Sequence, residues 1–553
     1  MWRQGPVRLI TTMVSPRRGS SWSPVILPSC TWTVASRPAA RQALESASVP
    51  RRGRTSARGR STTATPWGGL FLDRGLTGLI YAALFVYLIY PYSDFDWGWH
   101  YRYGEYFFTH HQILRHDIFS WTMPGYEWVN HSWLYDLVLY VLYTRTGFIG
   151  LSVAGALIGV ITFRLCIHRV HLAFWQIAVL AMFFAALTKD ILIQGIRTQV
   201  VGLLLLAILG DLLLRQRDGR TWPYLALPPL FCLWANLHGS FLLGLVVVGV
   251  FVGWEAISTS LRGASLPRRW FYFAASLVAS FAATLINPFT YGVYLEARRH
   301  FGNPHLTYVI EWLPPNFSEL VGMVFITYTL LVAYGGVARR RLDDVPQLLI
   351  AAGTFYMGVT SRRHVAVFVI LTLPYAALAI REVRVRTESV ARAAIAAAVV
   401  AVIGVSMWGK RTDLIDFAHS SMVTYCVYGP SCSEGMAEYL LKNPPVGRGF
   451  NFYDWGGFLI GRGVQTKLFI DGRMHLWERG DYQPMADYRA IYVDYDMDAF
   501  RRHNFDWFLV PVASPFVKTL IDSEKSGSAE SKIWVVGYRD DKVLYGVRKK
   551  PGS

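Results

Sequence analysis

The amino-acid sequence predicts a polytopic α-helical membrane protein of about eleven spans with a C-terminal extracytoplasmic α/β domain. Three observations carry that prediction. Of the 553 residues, 53% are hydrophobic and only 17% are charged. Apolar windows of about 20 residues, enough to cross roughly 30 Å of hydrocarbon, recur from residue 76 to residue 408. Beyond residue 409 the apolar runs shrink to strand length, and lysines, almost absent before, become frequent.

The formal net charge is +18. Basic residues cluster in short loops between apolar runs, which is the positive-inside pattern. The charge therefore reports topology, and no nucleic acid is expected as a partner. Five cysteines are too few for a disulfide scaffold and lack metal-ligand spacing. Cys166 and Cys232 fall in apolar helices and are expected to be inert. Cys426 and Cys432 lie six apart with Gly429 and Pro430 turning the chain between them. They could form a disulfide if the segment faces an oxidising compartment.

Residues 1–70 hold many arginines, among them Arg17, Arg18, Arg51, Arg52, Arg54, Arg58 and Arg60, against a single acid, Glu45. Such a disordered basic tail cannot bury enough surface to fold alone. It could be a transit peptide, a basic cytoplasmic tail or translation from a start codon set too far upstream. The bacterial look of the chain beyond residue 70 favours the last two. Either way the tail is cytoplasmic, and the first helix, residues 76–90, runs outward.

The loop 93–131 is then extracytoplasmic. Residues 132–146 are short and hold Asp136, so they read as a surface or half-buried helix that does not cross. Further spans are expected at 147–168, 172–188, 198–214, 221–236, 240–258, 270–287, 318–337, 345–359, 365–380 and 390–408. Arg-rich loops near 169, 217, 268, 340 and 384 fall on one face only if 132–146 stays on the surface. A second outer loop covers 288–316. The domains are thus a tail over 1–70, a transmembrane domain over 71–408 and an extracytoplasmic domain over 409–553. Strands are expected in that domain at 468–470, 507–512, 533–538 and 542–547.

The first outer loop opens with Asp94 and Asp96, followed at once by Trp97, Trp99, His100, Tyr101 and Arg102. Trp and Tyr favour the membrane–water interface, so the acids are held at the bilayer surface. They could anchor a solvated loop, or face a lipid-borne substrate.

The motif Phe95-Asp-Trp-Gly-Trp-His-Tyr-Arg102, with Gly104-Glu-Tyr106 after it, resembles the first outer loop of the GT-C membrane glycosyltransferases. It is most similar to the catalytic subunits of oligosaccharyltransferases. Trp97 stands where that family has Pro, and His100 where it has Asn. Tyr453-Asp-Trp-Gly-Gly457, Leu468-Phe-Ile-Asp-Gly-Arg473 and Asp506-Trp-Phe-Leu-Val510 resemble the acceptor element and later strands of the same family, although the first Trp of the acceptor element is missing. Val309-Ile-Glu311 is similar to its Thr-Ile-x-Glu element. The resemblance implies a polyprenyl-phosphate-linked sugar as donor and an acceptor glycan, lipid or protein on the outer face of the cell membrane. Asp96 then takes the place of the catalytic, often metal-binding aspartate, and Asp94 that of a supporting acid. Glu311, Asp454 and Trp455 are the implied acceptor contacts.

The chemistry stands beside the resemblance. A carboxylate at the interface can take the proton of an acceptor hydroxyl as general base. Asp94 and Asp96, two residues apart, could share a divalent cation (Mg or Mn) through oxygen ligands. The leaving phosphate needs cationic donors; Arg362, Arg363 and His364 begin a span on the same outer face, and an Arg fork fits phosphate. Simpler readings run alongside. Arg362 and Arg363 can snorkel to the interface. His110, His111, His116 and Asp117 read as a wet loop surface, Asn236 and His238 as buried polar glue, and Asp471-Gly-Arg473 as a turn with a local ion pair. A transporter or flippase for lipid-linked precursors, or a scaffold of an envelope-polysaccharide assembly, would carry the same helices. Transporters place charges at midplane, and here the acids lie at the surface.

Overall fold

The computed structural model describes residues 66–300, 303, 306–307, 309–339, 344–383, 394, 397–398, 401, 404–405, 408–525 and 534–549. The expected tail therefore lies outside the described residues as far as residue 65, and so does most of the span expected over 390–408.

Helices fill the chain up to residue 382: α1 (Pro66–Leu88), α2 (Trp97–His110), α3 (Trp133–Ile167), α4 (Phe174–Leu192), α5 (Thr198–Arg217), α6 (Pro223–Ala235), α7 (Phe241–Leu261), α8 (Arg268–Thr284), α9 (Gly292–Arg299), α10 (Leu320–Arg339), α11 (Val345–Thr360) and α12 (Arg362–Glu382). Among the described residues α3, α4, α5, α7 and α12 are long and apolar enough to cross a membrane, and α6, α11 and Leu320–Gly336 are shorter apolar helices. Several apolar spans are thus present. Helix α3 breaks at Gly147, whose φ of 62° and ψ of −160° no side chain tolerates easily. The break falls at the boundary expected between 132–146 and 147–168, within one continuous helix of 35 residues.

Val200, Phe184, Leu209, Trp234, Val369 and Leu373 are fully buried in the core of the bundle. At one end of the bundle the basic loops meet. Arg169 pairs with Asp218 and Asp211, Arg215 lies 2.6 Å from Asp211, and Arg217 lies 2.9 Å from Asp344. At the other end the loop 93–131 meets residues 288–299, with Arg115 Nη2 donating to Pro288 O at 2.9 Å and Arg299 lying over the Tyr126 ring.

The C-terminal region is α/β. A four-stranded sheet has the order β1 (Gly449–Asn451), β2 (Trp507–Pro511), β4 (Val543–Arg548), β3 (Trp534–Arg539). Strand β1 runs parallel to β2, and the other neighbours are antiparallel. Three expected strands form. Residues 468–470 do not enter this sheet, because Leu468 pairs instead with Ser120 of the first outer loop. There Trp121 N donates to Leu468 O at 3.0 Å, and Leu468 N donates to Phe119 O at 2.9 Å.

This pairing shows that the first outer loop and the C-terminal region share one core. Trp97 from the loop and Trp455 and Trp507 from the C-terminal region are each 1% exposed within it. Full burial of an aromatic of this size contributes about 2–3 kcal/mol. Helix α2 and the Gly456–Arg462 helix approach through glycines. A Cβ on Gly98 would fall 1.8 Å from Gly457 O, and one on Gly457 would fall 2.2 Å from Phe95 O. Arg102 Nε adds a bond to Ile460 O at 3.1 Å. Arg473, expected to make only a local pair with Asp471, also lies 2.9 Å from Asp117, so it fastens the loop to the domain. Cys426 and Cys432 are bonded to each other, and Trp455 Nε1 donates to Pro430 O between them at 2.8 Å.

Candidate functional site

The chain leaves α1 in extended form and turns into α2 at Asp96, which occupies the N-cap position. The turn is pinned from three sides. Tyr425 Oη donates to Asp94 O at 2.8 Å, Ser93 N donates to Gln194 O at 3.4 Å, and Tyr92 Oη donates to Asp94 Oδ2 at 3.4 Å. Asp94 is 1% exposed. A carboxylate buried to that degree needs a counter-charge, and Arg197 supplies it with Nε 3.1 Å from Asp94 Oδ1.

Asp96 is the more accessible of the two acids. Trp99 Nε1, one turn along α2, donates to its Oδ1 at 3.0 Å. Burial, and then the neighbouring Asp94, raise its carboxyl to about 6, against the opposing pull of His100, Trp99 and Arg197. Behind it, His100 Nδ1 lies 2.5 Å from Asp136 Oδ1, and Asn130 Nδ2 donates to Asp136 Oδ2 at 2.6 Å. The His100 imidazole is therefore locked into a buried network.

Arg197 precedes α5 and links the two outer loops. Its Nη1 donates to Glu311 Oε1 at 3.0 Å and to Gln194 Oε1 at 2.8 Å. Burial alone would raise the Glu311 carboxyl, but Arg197 and Arg363 outweigh it and hold the group below its ordinary range. The start of α12 is stitched to the same loop. Ser361 Oγ donates to Glu311 O at 3.1 Å, and Arg362 N donates to Leu313 O at 2.9 Å.

The three residues expected to hold the phosphate separate here. Arg362 is exposed and turns outward, its Nε donating to Pro314 O at 3.3 Å. Arg363 turns inward over the Trp312 ring, 4.6 Å from its centroid, and lies within electrostatic reach of Glu311 and Asp96. His364 packs on the other part of Trp312, ring centres 5.6 Å apart. The helical rotation of about 100° per residue accounts for this split.

Sequence reasoning missed several neighbours. His300 lies 5.9 Å from the Trp312 ring and 5.9 Å from the His475 ring, and His475 Nδ1 sits 3.0 Å from Gly472 O. Burial lowers His131, His300 and His475 to about 4 each, with Arg363 adding to the effect on all three. Three neutral imidazoles thus lie within electrostatic reach of one guanidinium. Arg197 had a signal: a lone arginine opening an apolar span on the face that the positive-inside pattern leaves poor in arginine. The histidines are scattered over three segments and had none.

The acceptor residues fall differently from expectation. Trp455 is 1% exposed and its indole N–H is used by Pro430, so it packs the domain and has no surface for an acceptor. Asp454 beside it is half-buried, and burial raises its carboxyl to about 6. Tyr453, within electrostatic reach of Asp96, bonds to Gly472 O at 3.4 Å.

A shared divalent cation finds little room at the acids. Asp94 Oδ1 faces Arg197 and accepts from Asp96 N at 3.3 Å, and Oδ2 accepts from Tyr92. Among the described residues no group of three or more His, Cys, Asp or Glu is placed to hold an ion. The donor set does not fit the expected metal.

A bundle of apolar helices, a loop bearing buried acids and a C-terminal region clasping that loop make up the fold. No protein-family model and no curated protein sequence matches the chain. Among solved structures, the archaeal oligosaccharyltransferase AglB from Archaeoglobus fulgidus, in complex with an inhibitory peptide and a dolichol-phosphate, aligns with a TM-score of 0.51 at 11% identity, covering 80% of this chain and 70% of that one. Its apo form aligns with a TM-score of 0.51 at 11% identity over 83% and 71%. ArnT from Cupriavidus metallidurans bound to undecaprenyl phosphate gives a TM-score of 0.46 at 13% identity over 87% and 98%. For the two AglB structures, at 11% identity, the likeness is one of fold.

Proposed function

We propose that this protein is an integral-membrane glycosyltransferase that moves a sugar or glycan from a polyprenyl-phosphate carrier to an acceptor on the outer face of the cell membrane. The supporting observation is convergence: Arg197 ties the turn that carries Asp94 and Asp96 to Glu311, and Arg363, from a segment far away in sequence, faces Glu311 with Asp96 within its electrostatic reach. An AglB structure that shares the fold holds a dolichol-phosphate, which supports a lipid phosphate as the donor's carrier here.

Asp96 acts as the general base. Its carboxylate accepts the proton of the acceptor hydroxyl as that oxygen attacks the anomeric carbon. A pKa of about 6 leaves it ionised at neutral pH and still basic enough to take the proton. The bond from the anomeric carbon to the phosphate oxygen breaks, and the charge passes to the departing lipid phosphate. Arg363 meets that charge with a guanidinium fork, and His131, His300 and His475, kept neutral, add no positive charge that would repel it. The C-terminal domain presents the acceptor near Asp454 and Tyr453. Eleven spans and an outer-facing domain complete this reading.

The deciding experiment follows transfer from a labelled lipid-linked sugar by wild type and Asp96→Asn in native membranes. Loss of transfer with intact membrane insertion is expected. A variant that keeps the wild-type rate, as a flippase or scaffold would keep its phenotype, rules out this role for Asp96.

A further inference from the structure

Asp94, Asp96 and Glu311 surround a single guanidinium, that of Arg197. Its Nε lies 3.1 Å from Asp94 Oδ1, its Nη1 donates to Glu311 Oε1 at 3.0 Å, and Asp96 lies within its electrostatic reach. We propose that Arg197 is the fixed cation of this site, filling the place among the three carboxylates that a divalent ion would take. Its functional meaning rests on the glycosyltransferase reading above, whereas the ion-binding claim can be tested without any transfer assay.

Three features carry the proposal. Arg197 is itself 7% exposed, and a buried guanidinium persists only where carboxylates or carbonyls hold it. Nη1 also reaches Gln194 Oε1 at 2.8 Å, while the buried Nε meets Asp94 as an ion pair without an aligned hydrogen bond. The lone pairs of Asp94 that an ion would need are taken by Tyr92 Oη and Asp96 N, both weak, neutral donors that suit an acid already neutralised by its partner. A hard divalent cation demands several oxygen ligands at short, nearly fixed distances. It could meet that demand here only by expelling the guanidinium or by lying against it, charge on charge.

The arrangement also gives Arg197 a positioning role. One planar fork spans from the turn that carries Asp94 and Asp96 to the outer loop that carries Glu311, so it fixes the separation of the two loops. The spacing that a metal would set through its coordination sphere is set here by covalent geometry.

The test uses the full chain in nanodiscs, stripped with chelator and titrated with Mn²⁺ by electron paramagnetic resonance. Wild type is expected to take up no stoichiometric Mn²⁺ at millimolar concentration, and its transfer rate is expected to survive chelation. Arg197→Ala vacates the position, so it is expected to gain one Mn²⁺ signal, which Asp94→Asn in the same background removes. Arg197→Lys keeps a cation in place and is expected to bind none. Stoichiometric Mn²⁺ on wild type, lost with Asp94→Asn or Glu311→Gln, overturns the proposal; so does a folded Arg197→Ala that binds no Mn²⁺. If Arg197→Ala does not fold, the wild-type and Arg197→Lys titrations decide alone. Transfer that stops on chelation and returns with Mn²⁺ also overturns it. No transfer under any condition tells against the glycosyltransferase reading and leaves the Mn²⁺ titration to judge Arg197.

Discussion

Gly472 lies so close to Asp96 that a Cβ on the glycine would fall 1.9 Å from Asp96 Oδ1. The segment 471–475 therefore forms one wall around the acid, and that wall has no room for a side chain. Gly472→Ala is expected to displace the Asp96 carboxylate by more than an ångström. A misplacement of that size lowers turnover by about 100-fold, and kcat for transfer, measured beside an unchanged melting temperature, is the check.

Asp96→Asn removes the base while keeping shape and the bond from Trp99. Loss of a positioned base lowers rate by about 10²–10⁴-fold. Binding of the lipid-linked donor, measured separately by displacement of a labelled carrier, is expected to change little.

The pH profile has a definite sign. In the proposed role Asp96 works ionised, and its carboxyl is raised from 3.8 to about 6 by burial and Asp94. The transfer rate is expected to fall as pH drops through about 6, roughly tenfold per pH unit below it, where an ordinary aspartate would hold its rate to about 4. Stability responds in the opposite sense. A folded-state pKa above the unfolded one favours the protonated fold, so stability present below about 4 is lost as pH rises through about 6. Asp96→Asn is expected to flatten part of that slope in melting curves taken across pH.

Arg473 is 6% exposed and holds Asp471 through two bonds of 2.8 and 2.6 Å while reaching Asp117 at 2.9 Å. Its guanidinium also lies over the rings of Trp128, Phe119 and Trp477. Arg473→Ala strands two buried carboxylates, at a cost of about 3–5 kcal/mol. Limited proteolysis is expected to cut the outer loop 112–131 in this variant and not in wild type. Arg473→Lys cannot reproduce the paired bonds and is expected to be cut as well.

Much of the fold was legible in the sequence, and the limits have physical reasons. The apolar helices, the boundary between 132–146 and 147–168 and three of the four strands follow from periodicity and length, which are local. The pairing of 468–470 with residues 119–121 was not legible, because an edge that joins a distant loop looks like any short strand. Asp94 and Asp96 stood out because acids among interfacial aromatics are rare. Arg363 was expected near them, but its separation from Arg362 depends on helix rotation. Trp455 was misplaced because an aromatic in a turn motif gives no sign of whether it faces inward. Arg197, His300 and His475 become a group only when three segments meet.

The clasp between Thr122 and Phe469, whose hydroxyl-to-carbonyl bond joins residues 347 positions apart, sets an order of events during synthesis. The ribosome must complete every intervening helix before the partner of the first outer loop emerges. Until then the turn that carries Asp94 and Asp96 lacks its C-terminal wall, and a nascent or prematurely terminated chain can enter the bilayer without acquiring it. Closure of the loop around Asp94 and Asp96 is therefore a late act of biogenesis, and an unclasped loop offers quality-control proteases a recognisable mark of an incomplete product.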